Sequence, residues 1–181
     1  MRASEGERVE AVLQSLSDSA QSGPEVSLLR ARAARVAGRN ADALHIAEAE
    51  LALGVCLPEQ EAWLHRVAGL AALYLGELAP AERHTRAALD RFRALGNQAE
   101  AAYSKSDLGI FCHDQGRYAE TERLWREAVR TLRALRRIDY LPMVLNNLAT
   151  VLLERGKQDE ALELLHEGVT IVEHTGEAFW E

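Results

Sequence analysis

The sequence predicts an all-α protein built from antiparallel helix hairpins. Three observations support this: a repeat of about 40 residues, an apolar composition dominated by the good helix formers Ala and Leu, and only four prolines with few β-branched runs. Of the 181 residues, 48% are hydrophobic and only 6% are aromatic. This length suits one globular domain or one short repeat array.

Four glycines mark the repeat. They are Gly38, Gly76, Gly116 and Gly156, separated by 38, 40 and 40 residues, and each lies between two segments with helical apolar periodicity. Each is expected in the turn of a hairpin, because a positive φ is easily adopted only by Gly. Small residues recur seven positions before and five positions after these glycines, as expected where two helices approach closely. They are Ala31, Gly69, Gly109 and Ala149 before the turn, and Ala43, Ala81, Thr121 and Ala161 after it.

The predicted elements follow in chain order. A leading helix covers about 4–20 and ends at the break QSGP. Pro80 fits the first turn of a helix, and Gly54, Gly96 and Gly176 fit positions where second helices end. The four hairpins are predicted at 25–37 with 41–54, 60–75 with 79–94, 98–115 with 118–136, and 140–155 with 158–174. They define repeats at about 24–59, 60–97, 98–137 and 138–176 of a single domain, with a further element beginning at 177–181.

Two segments, LGIFCHDQGRYAETERLWREAV and NNLATVLLERGKQDEALELLHEGV, resemble tetratricopeptide repeats. The period is similar to that of the long-repeat variants in kinesin light chains, polarity adaptors and large bacterial transcription regulators. The resemblance implies a right-handed α-solenoid, a superhelix of antiparallel hairpins. Repeat one departs from the pattern at Arg30 and Glu50, which fits a terminal, cap-like repeat.

In such an array the first helix of each hairpin lines the concave face, and a partner protein or peptide is expected to bind there. Trp63, Tyr103 and Met143 occupy one column of this face and are candidate anchors. Asn146 and Asn147 are candidates to hold the backbone of an extended peptide. The alternative is that the aromatic residues are packing residues and that neighbouring repeats satisfy the asparagines. The predicted partner-binding residues are Trp63, Arg66, Leu70, Tyr74, Tyr103, Asp107, Ile110, His113, Met143, Asn146, Asn147 and Thr150.

Two known binding modes are not reproduced. Peptide-binding relatives commonly have Asn at the Asn147 position, but Val67 and Asp107 occupy that column in repeats two and three. The Lys, Asn and Arg clamp by which some relatives hold a C-terminal carboxylate is also missing. Trp125 and Cys112 are predicted to be core residues of repeat three.

No catalytic, cofactor or metal site is predicted. The sequence contains no GxGxxG, GxxxxGK[ST], HExxH or GxSxG, and its six histidines share no ligand spacing. His113 and Asp114 resemble an acid–base pair, but consecutive residues of a helix point in different directions. The chain is therefore predicted not to be an enzyme.

Composition and patterning disfavour other classes. The net charge of −7 disfavours nucleic-acid binding, and the Arg-rich run at 130–137 is interpreted as a solvated helix face. The N-terminal segment lacks the apolar core of a signal peptide, and the longest apolar stretch, VAGLAALYLG, is too short to span a membrane. Cys56 and Cys112 show neither disulfide nor zinc spacing, so we expect a reducing, cytoplasmic location.

The favoured function is therefore a non-enzymatic scaffold that binds a protein or peptide on the concave face. The alternative is the sensor segment of a larger bacterial transcription regulator, with or without a small-molecule effector. An enzyme, as the third class, would need a cluster of titratable groups with shifted pKa values in the groove. Phe179 and Trp180 near the C-terminus predict an exposed apolar end through which the chain forms a homo-oligomer, unless it continues into a longer protein.

Overall fold

The computed structural model describes residues 23–175, in which every regular element is an α-helix. The predicted leading helix 4–20 and the predicted element at 177–181, with Phe179 and Trp180, lie outside the described residues. Each predicted hairpin helix is present, with ends within two residues of the expected ones. The helices are α1 Pro24–Val36, α2 Asn40–Leu53, α3 Pro58–Tyr74, α4 Leu78–Ala94, α5 Gln98–Asp114, α6 Tyr118–Ala134, α7 Leu141–Glu154 and α8 Gln158–Thr175.

The hairpin turns share one geometry. Each has three residues with the predicted glycine in the middle, at φ between 71° and 76°. The amide after each glycine donates to a carbonyl five residues earlier, for example Arg117 N–H to Cys112 O at 2.8 Å and Lys157 N–H to Leu152 O at 2.9 Å. This bond satisfies a carbonyl that the helix end would otherwise leave unpaired. The repeat therefore arises from a recurring local turn.

The ends of the second helices are less uniform. Gly54 and Gly96 end α2 and α4 with positive φ, as predicted. After α6 the same left-handed position is taken by Arg136, at φ 53°. The connection to α7 is also longer there, covering residues 135–140.

The described helices fall into two compact units. The first ends at Gly96 and contains α1 to α4, and the second begins at Asn97 and contains α5 to α8. In each unit, helices that follow one another in the chain pack together. The buried core of the second unit includes Trp125, Leu132, Leu145 and Leu152. A single domain for the whole chain remains a prediction.

The small-residue columns have a steric basis. Gly109 faces Trp125, and a Cβ at Gly109 would overlap the indole ring. Trp125 is only 3% exposed, and its Nε1–H donates to the carbonyl of Ser106 at 2.9 Å. Trp125 is thus confirmed as a core residue, and Cys112 is fully buried as predicted.

Candidate partner-binding surfaces

The predicted residues of the first unit meet around Trp63. The indole packs edge-on against the buried Phe92, with ring centroids 5.3 Å apart. The guanidinium of Arg66 lies 5.6 Å from the Trp63 ring centroid, and that of Arg32, from α1, lies 5.3 Å away. Together they border a cavity of about 100 Å³. We call its lining the Trp63 surface: Arg32, Arg35, Trp63, Arg66, Val67 and Leu70.

The last candidate of the first unit, Tyr74, lies apart from that cavity lining. It is the final residue of α3 and is 70% exposed. The sequence period places Arg32 and Arg35 on the first-helix face of repeat one, but residue type does not single them out. Their proximity to Trp63 is visible only in the structure.

In the second unit, Tyr103 is buried in a polar cluster. It is 4% exposed, its ring lies 4.3 Å from that of Tyr140, and the guanidinium of Arg137 lies 5.2 Å from its centroid. The Tyr103 hydroxyl donates to Asp139 at 3.4 Å, and the Tyr140 hydroxyl donates to Asp107 at 3.1 Å. Burial, and then the charge of Asp139, raise the pKa of Tyr103 to about 12. Tyr103 thus stays protonated at neutral pH as a donor to Asp139.

The sequence gives no signal for the residues that cover Tyr103. Arg137, Asp139 and Tyr140 lie in the irregular connection between α6 and α7, where no repeat period applies. Arg137 holds Asp139 through two bonds, at 3.0 and 2.8 Å, and lowers the pKa of that carboxyl group. The connection is therefore an ordered polar cap over Tyr103 and Asp107.

His113 pairs with a residue that sequence reasoning did not assign to it. Its Nε2 lies 2.8 Å from a carboxylate oxygen of Glu154 on α7, whereas the neighbouring Asp114 is 3.8 Å from Nδ1. The imidazole also packs near the rings of Tyr118 and Trp125. Both lie on the predicted stripe, His113 three residues before Gly116 and Glu154 two residues before Gly156, so the period contains the signal for this pair.

The remaining candidates of the second unit lie mainly on α7. Met143, Asn146 and Asn147 are half-buried, and Thr150 is exposed and donates to the carbonyl of Asn146 at 3.0 Å. Among the described residues, neither asparagine side chain has a hydrogen-bond partner. Ile110, on α5, packs against the core.

A partly buried imidazole pair lies between α3 and α4. His65 Nδ1 is 2.9 Å from His84 Nδ1, and His84 Nε2 is 3.0 Å from Glu48. Burial, together with the nearby charge of Arg91, lowers the pKa of His65 to about 4. At neutral pH His65 is therefore neutral.

A groove of about 520 Å³ lies between α6, α7 and α8. Its floor contains Val129, Leu148 and Leu164, and its rim carries arginines of α6 and glutamates of α8. Arg126 pairs with Glu160, and other rim arginines also pair with carboxylates. The rim is therefore largely neutralised.

The described residues contain neither a metal cluster nor a membrane-spanning helix. Within residues 23–175, no group of three or more His, Cys, Asp or Glu side chains could hold a metal ion. In the same residues, no helix is long and apolar enough to cross a membrane. The polar pairs found are hydrogen-bonded ion pairs and caps that fix side-chain positions.

Comparison with known proteins identifies the repeat class. Residues 98–174 match the family model described as tetratricopeptide repeat. No curated protein matches the sequence. Residues 98–174 are therefore similar to tetratricopeptide repeats, and the same turns and hairpins recur in α1 to α4.

Solved structures confirm the predicted all-helical solenoid class. Aspartyl phosphate phosphatase F from Bacillus subtilis matches with a TM-score of 0.80 at 14% identity, over 96% of this chain and 46% of that protein. A Rap protein complexed with Competence and Sporulation Factor matches with a TM-score of 0.77 at 16% identity, over 92% and 47%. Kinesin light chain repeats from Podospora anserina match with a TM-score of 0.69 at 18% identity, over 96% and 87%. The chain spans less than half the length of the first two proteins, and at these identities the likeness concerns the fold.

Proposed function

We propose that the chain is a non-enzymatic scaffold whose first-helix faces bind an extended segment of a partner protein. The predicted face residues supply the contacts in each unit: Trp63, Arg66, Leu70 and Tyr74 in the first, and Met143, Asn146, Asn147 and Thr150 in the second. Ile110 and His113 border the second set. The side chains of Tyr103 and Asp107 are buried, so we propose that they support this face from beneath and do not contact the partner.

The unpaired amides of Asn146 and Asn147 carry the proposal. Asn is a poor residue for the interior of a helix, so two in succession within α7 cost helix stability. Neither amide recovers this cost through a hydrogen bond to the described part of the chain. Each amide can both donate and accept, which matches the alternating N–H and C=O groups of an extended peptide.

The comparisons support binding as a property of this fold class. One similar structure is that of a Rap protein in complex with Competence and Sporulation Factor. Another is an aspartyl phosphate phosphatase by name, so a helical fold of this kind does not itself decide between binding and catalysis. In this chain the His113 imidazole is paired with Glu154, and Cys112 beside it is fully buried. Burial makes the Cys112 thiol inaccessible as a nucleophile, which supports binding over catalysis.

The test is selection of peptides from a random 12-residue library on the full chain. Selected peptides would be titrated calorimetrically against the wild type and Asn146→Ala/Asn147→Ala. We expect the double variant to weaken binding at least about tenfold, because two amides lose their hydrogen bonds to the peptide. His166→Ala/Glu173→Ala, at two exposed positions of α8, is the matched control and should change affinity less than about twofold. Equal losses in both variants, or failure to select any binding peptide, would overturn the proposal.

The groove between α6, α7 and α8 favours a second candidate, the effector-binding segment of a regulator. Its volume of about 520 Å³ lies in the range of small-molecule sites. A thermal-shift screen of metabolites would test it, with Arg130→Trp as the variant that fills the groove mouth. The effector-binding function is supported if a compound raises the melting temperature of the wild type but not that of Arg130→Trp. It is contradicted if no compound does so.

A further inference from the structure

We infer that the groove between α6, α7 and α8 binds a small aliphatic zwitterion, a molecule with a free ammonium group, a free carboxylate and an aliphatic side chain. Free amino acids and short peptides with both ends free share this chemistry. The inference rests on the second candidate function, the effector-binding segment, because it names the ligand class of that groove. The walls of the groove are the second helices α6 and α8, which lie in one compact unit.

Two ion pairs join the walls of this groove. Arg126 of α6 pairs with Glu160 of α8, and Arg133 of α6 pairs with Glu167 of α8. The two arginines are seven residues apart, as are the two glutamates, so the pairs are separated by about 10 Å along the helices. The two walls are therefore linked at two levels.

Two side chains of opposite charge face the groove from opposite walls. Arg130 on α6 and Glu163 on α8 both line it, and each lies between the two ion pairs along its helix. They are not bonded to each other. A guanidinium group on one wall matches the carboxylate of a ligand, and a carboxylate on the other wall matches its ammonium group.

The floor of the groove matches the aliphatic part of such a ligand. Val129, Leu148 and Leu164 form it, and all three are buried in the core of the second unit. An aliphatic side chain placed on this floor loses its contact with water, which stabilises the complex. The groove volume of about 520 Å³ leaves room for the charged groups of the ligand beside Arg130 and Glu163.

The ion pairs across the groove disfavour a polyanionic ligand such as a nucleotide. Several phosphates would have to draw Arg126 and Arg133 away from Glu160 and Glu167. The hydrogen bond from Arg126 lowers the pKa of Glu160, so this carboxylate stays charged at neutral pH and would also repel phosphates. A zwitterion adds one charge of each sign and leaves both pairs intact.

The probe for a free amino acid is leucine, titrated calorimetrically into the full chain. Isocaproate is leucine without its ammonium group, and isoamylamine is leucine without its carboxylate. The probe for a short peptide is leucyl-leucine, with N-acetyl-leucyl-leucine and leucyl-leucinamide as the corresponding analogues. We expect leucine or leucyl-leucine to bind at least about tenfold more tightly than either of its analogues, because each analogue lacks one charge-assisted hydrogen bond. Equal binding of a zwitterion and one of its analogues, or no binding of either zwitterion, would overturn the inference.

Variants assign each charge of the ligand to its residue. In Arg130→Gln the preference for the zwitterion over the analogue without a carboxylate should disappear, because the guanidinium group is lost. In Glu163→Gln the preference over the analogue without an ammonium group should disappear. Arg93→Gln and Glu173→Gln, at exposed positions of α4 and α8, are the matched controls and should change affinity less than about twofold. Losses as large in the controls would show general charge effects and overturn the assignment. Circular dichroism melts of all variants verify that they fold.

Other ligands are separate outcomes. The free amino acid glycine, which has no aliphatic side chain, should bind at least about tenfold more weakly than leucine or leucyl-leucine, and equal binding would overturn the inference. Succinate or inorganic phosphate that binds more tightly than both zwitterions, and loses affinity in Arg130→Gln, would overturn it in favour of an anion site. If another class of compound stabilises the wild type but not Arg130→Trp while no zwitterion binds, the inference fails and the effector-binding function stands.

Discussion

The hairpins α3–α4 and α5–α6 follow one pattern yet present different first-helix faces. Trp63 and Tyr103 both lie 13 residues before their turn glycines. Trp63 is half-buried beside a cavity with two arginines near its ring, whereas Tyr103 is 4% exposed and bonded to Asp139. Equivalent aromatic positions therefore have different surroundings: Trp63 lines an open cavity, whereas Tyr103 is a capped packing residue.

The difference shows what the repeat period determines. It determines the residues on which the backbone depends, such as the turn glycines and the small residues at helix crossings. It does not determine what covers a first-helix face, because that cover comes from connections outside the period. Arg137, Asp139 and Tyr140 cover Tyr103 in this way.

The largest expected effect tests the helix crossing. Gly109→Ala should lower the free energy of unfolding by about 3–4 kcal/mol, because its Cβ would displace the buried Trp125. Gly69→Ala should cost about 1–2 kcal/mol, since its Cβ would lie 2.5 Å from Thr85 Oγ1 and the smaller Thr side chain can rotate. Urea unfolding followed by circular dichroism measures both.

A rescue variant sharpens this comparison. Repeat four has Ala149 and Leu165 at the positions of Gly109 and Trp125. Gly109→Ala/Trp125→Leu should therefore recover at least about 1 kcal/mol relative to Gly109→Ala. If the double variant is no more stable than Gly109→Ala, overlap with the Trp125 ring does not cause the loss of stability, and the steric explanation is wrong.

The next effect separates the two aromatic residues. Tyr103→Ala should lower the free energy of unfolding by about 3 kcal/mol, because a buried aromatic ring and its bond to Asp139 are removed. Trp63→Ala should cost about 1–2 kcal/mol, since the ring is half-buried, but it should weaken peptide binding more than Tyr103→Ala does. The opposite ranking in unfolding and calorimetric titrations would break the comparison.

Sequence reasoning captured the repeating part of the molecule and missed what connects it. Gly38, Gly76, Gly116 and Gly156 predicted every hairpin, because one turn geometry recurs and only Gly adopts it cheaply. The cap over Tyr103 was not predictable, since it depends on an irregular connection. Arg32 and Arg35 lay on the predicted stripe, but their position beside Trp63 could be recognised only in the structure.

The hairpins α3–α4 and α5–α6 also differ at the position of His65, and this difference predicts a pH dependence of stability. In α5 that position is Lys105, which bonds Glu127 at 2.9 Å. The pKa of His65 falls from 6.5 to about 4 in the folded state through burial, so the unfolded chain binds more protons between these values. The free energy of unfolding should therefore decrease by about 1–2 kcal/mol from pH 7 to pH 5, after allowance for partial exposure.

The control for the pH effect is His65→Gln. It removes the titrating group, and its unfolding free energy should change less over the same pH range. His84, Glu48, Glu61, Arg83 and Arg91 surround the imidazole and are unchanged in the variant. An equal pH dependence in the wild type and the variant would assign the effect to other groups.

The smallest expected effect concerns the connection that caps Tyr103. Arg136 adopts φ 53° where Gly54 and Gly96 adopt φ 66° and 70°. Arg136→Gly should raise the free energy of unfolding by about 0.5–1 kcal/mol, because a left-handed conformation costs Gly less than a residue with a Cβ. Gly96→Ala, whose Cβ would meet no atom within 4 Å, is the reciprocal control and should lower it by a similar amount. If Arg136→Gly is instead destabilising, the Arg136 side chain supports the cap directly, and the two hairpins differ in a further contact as well as in the cover of Tyr103.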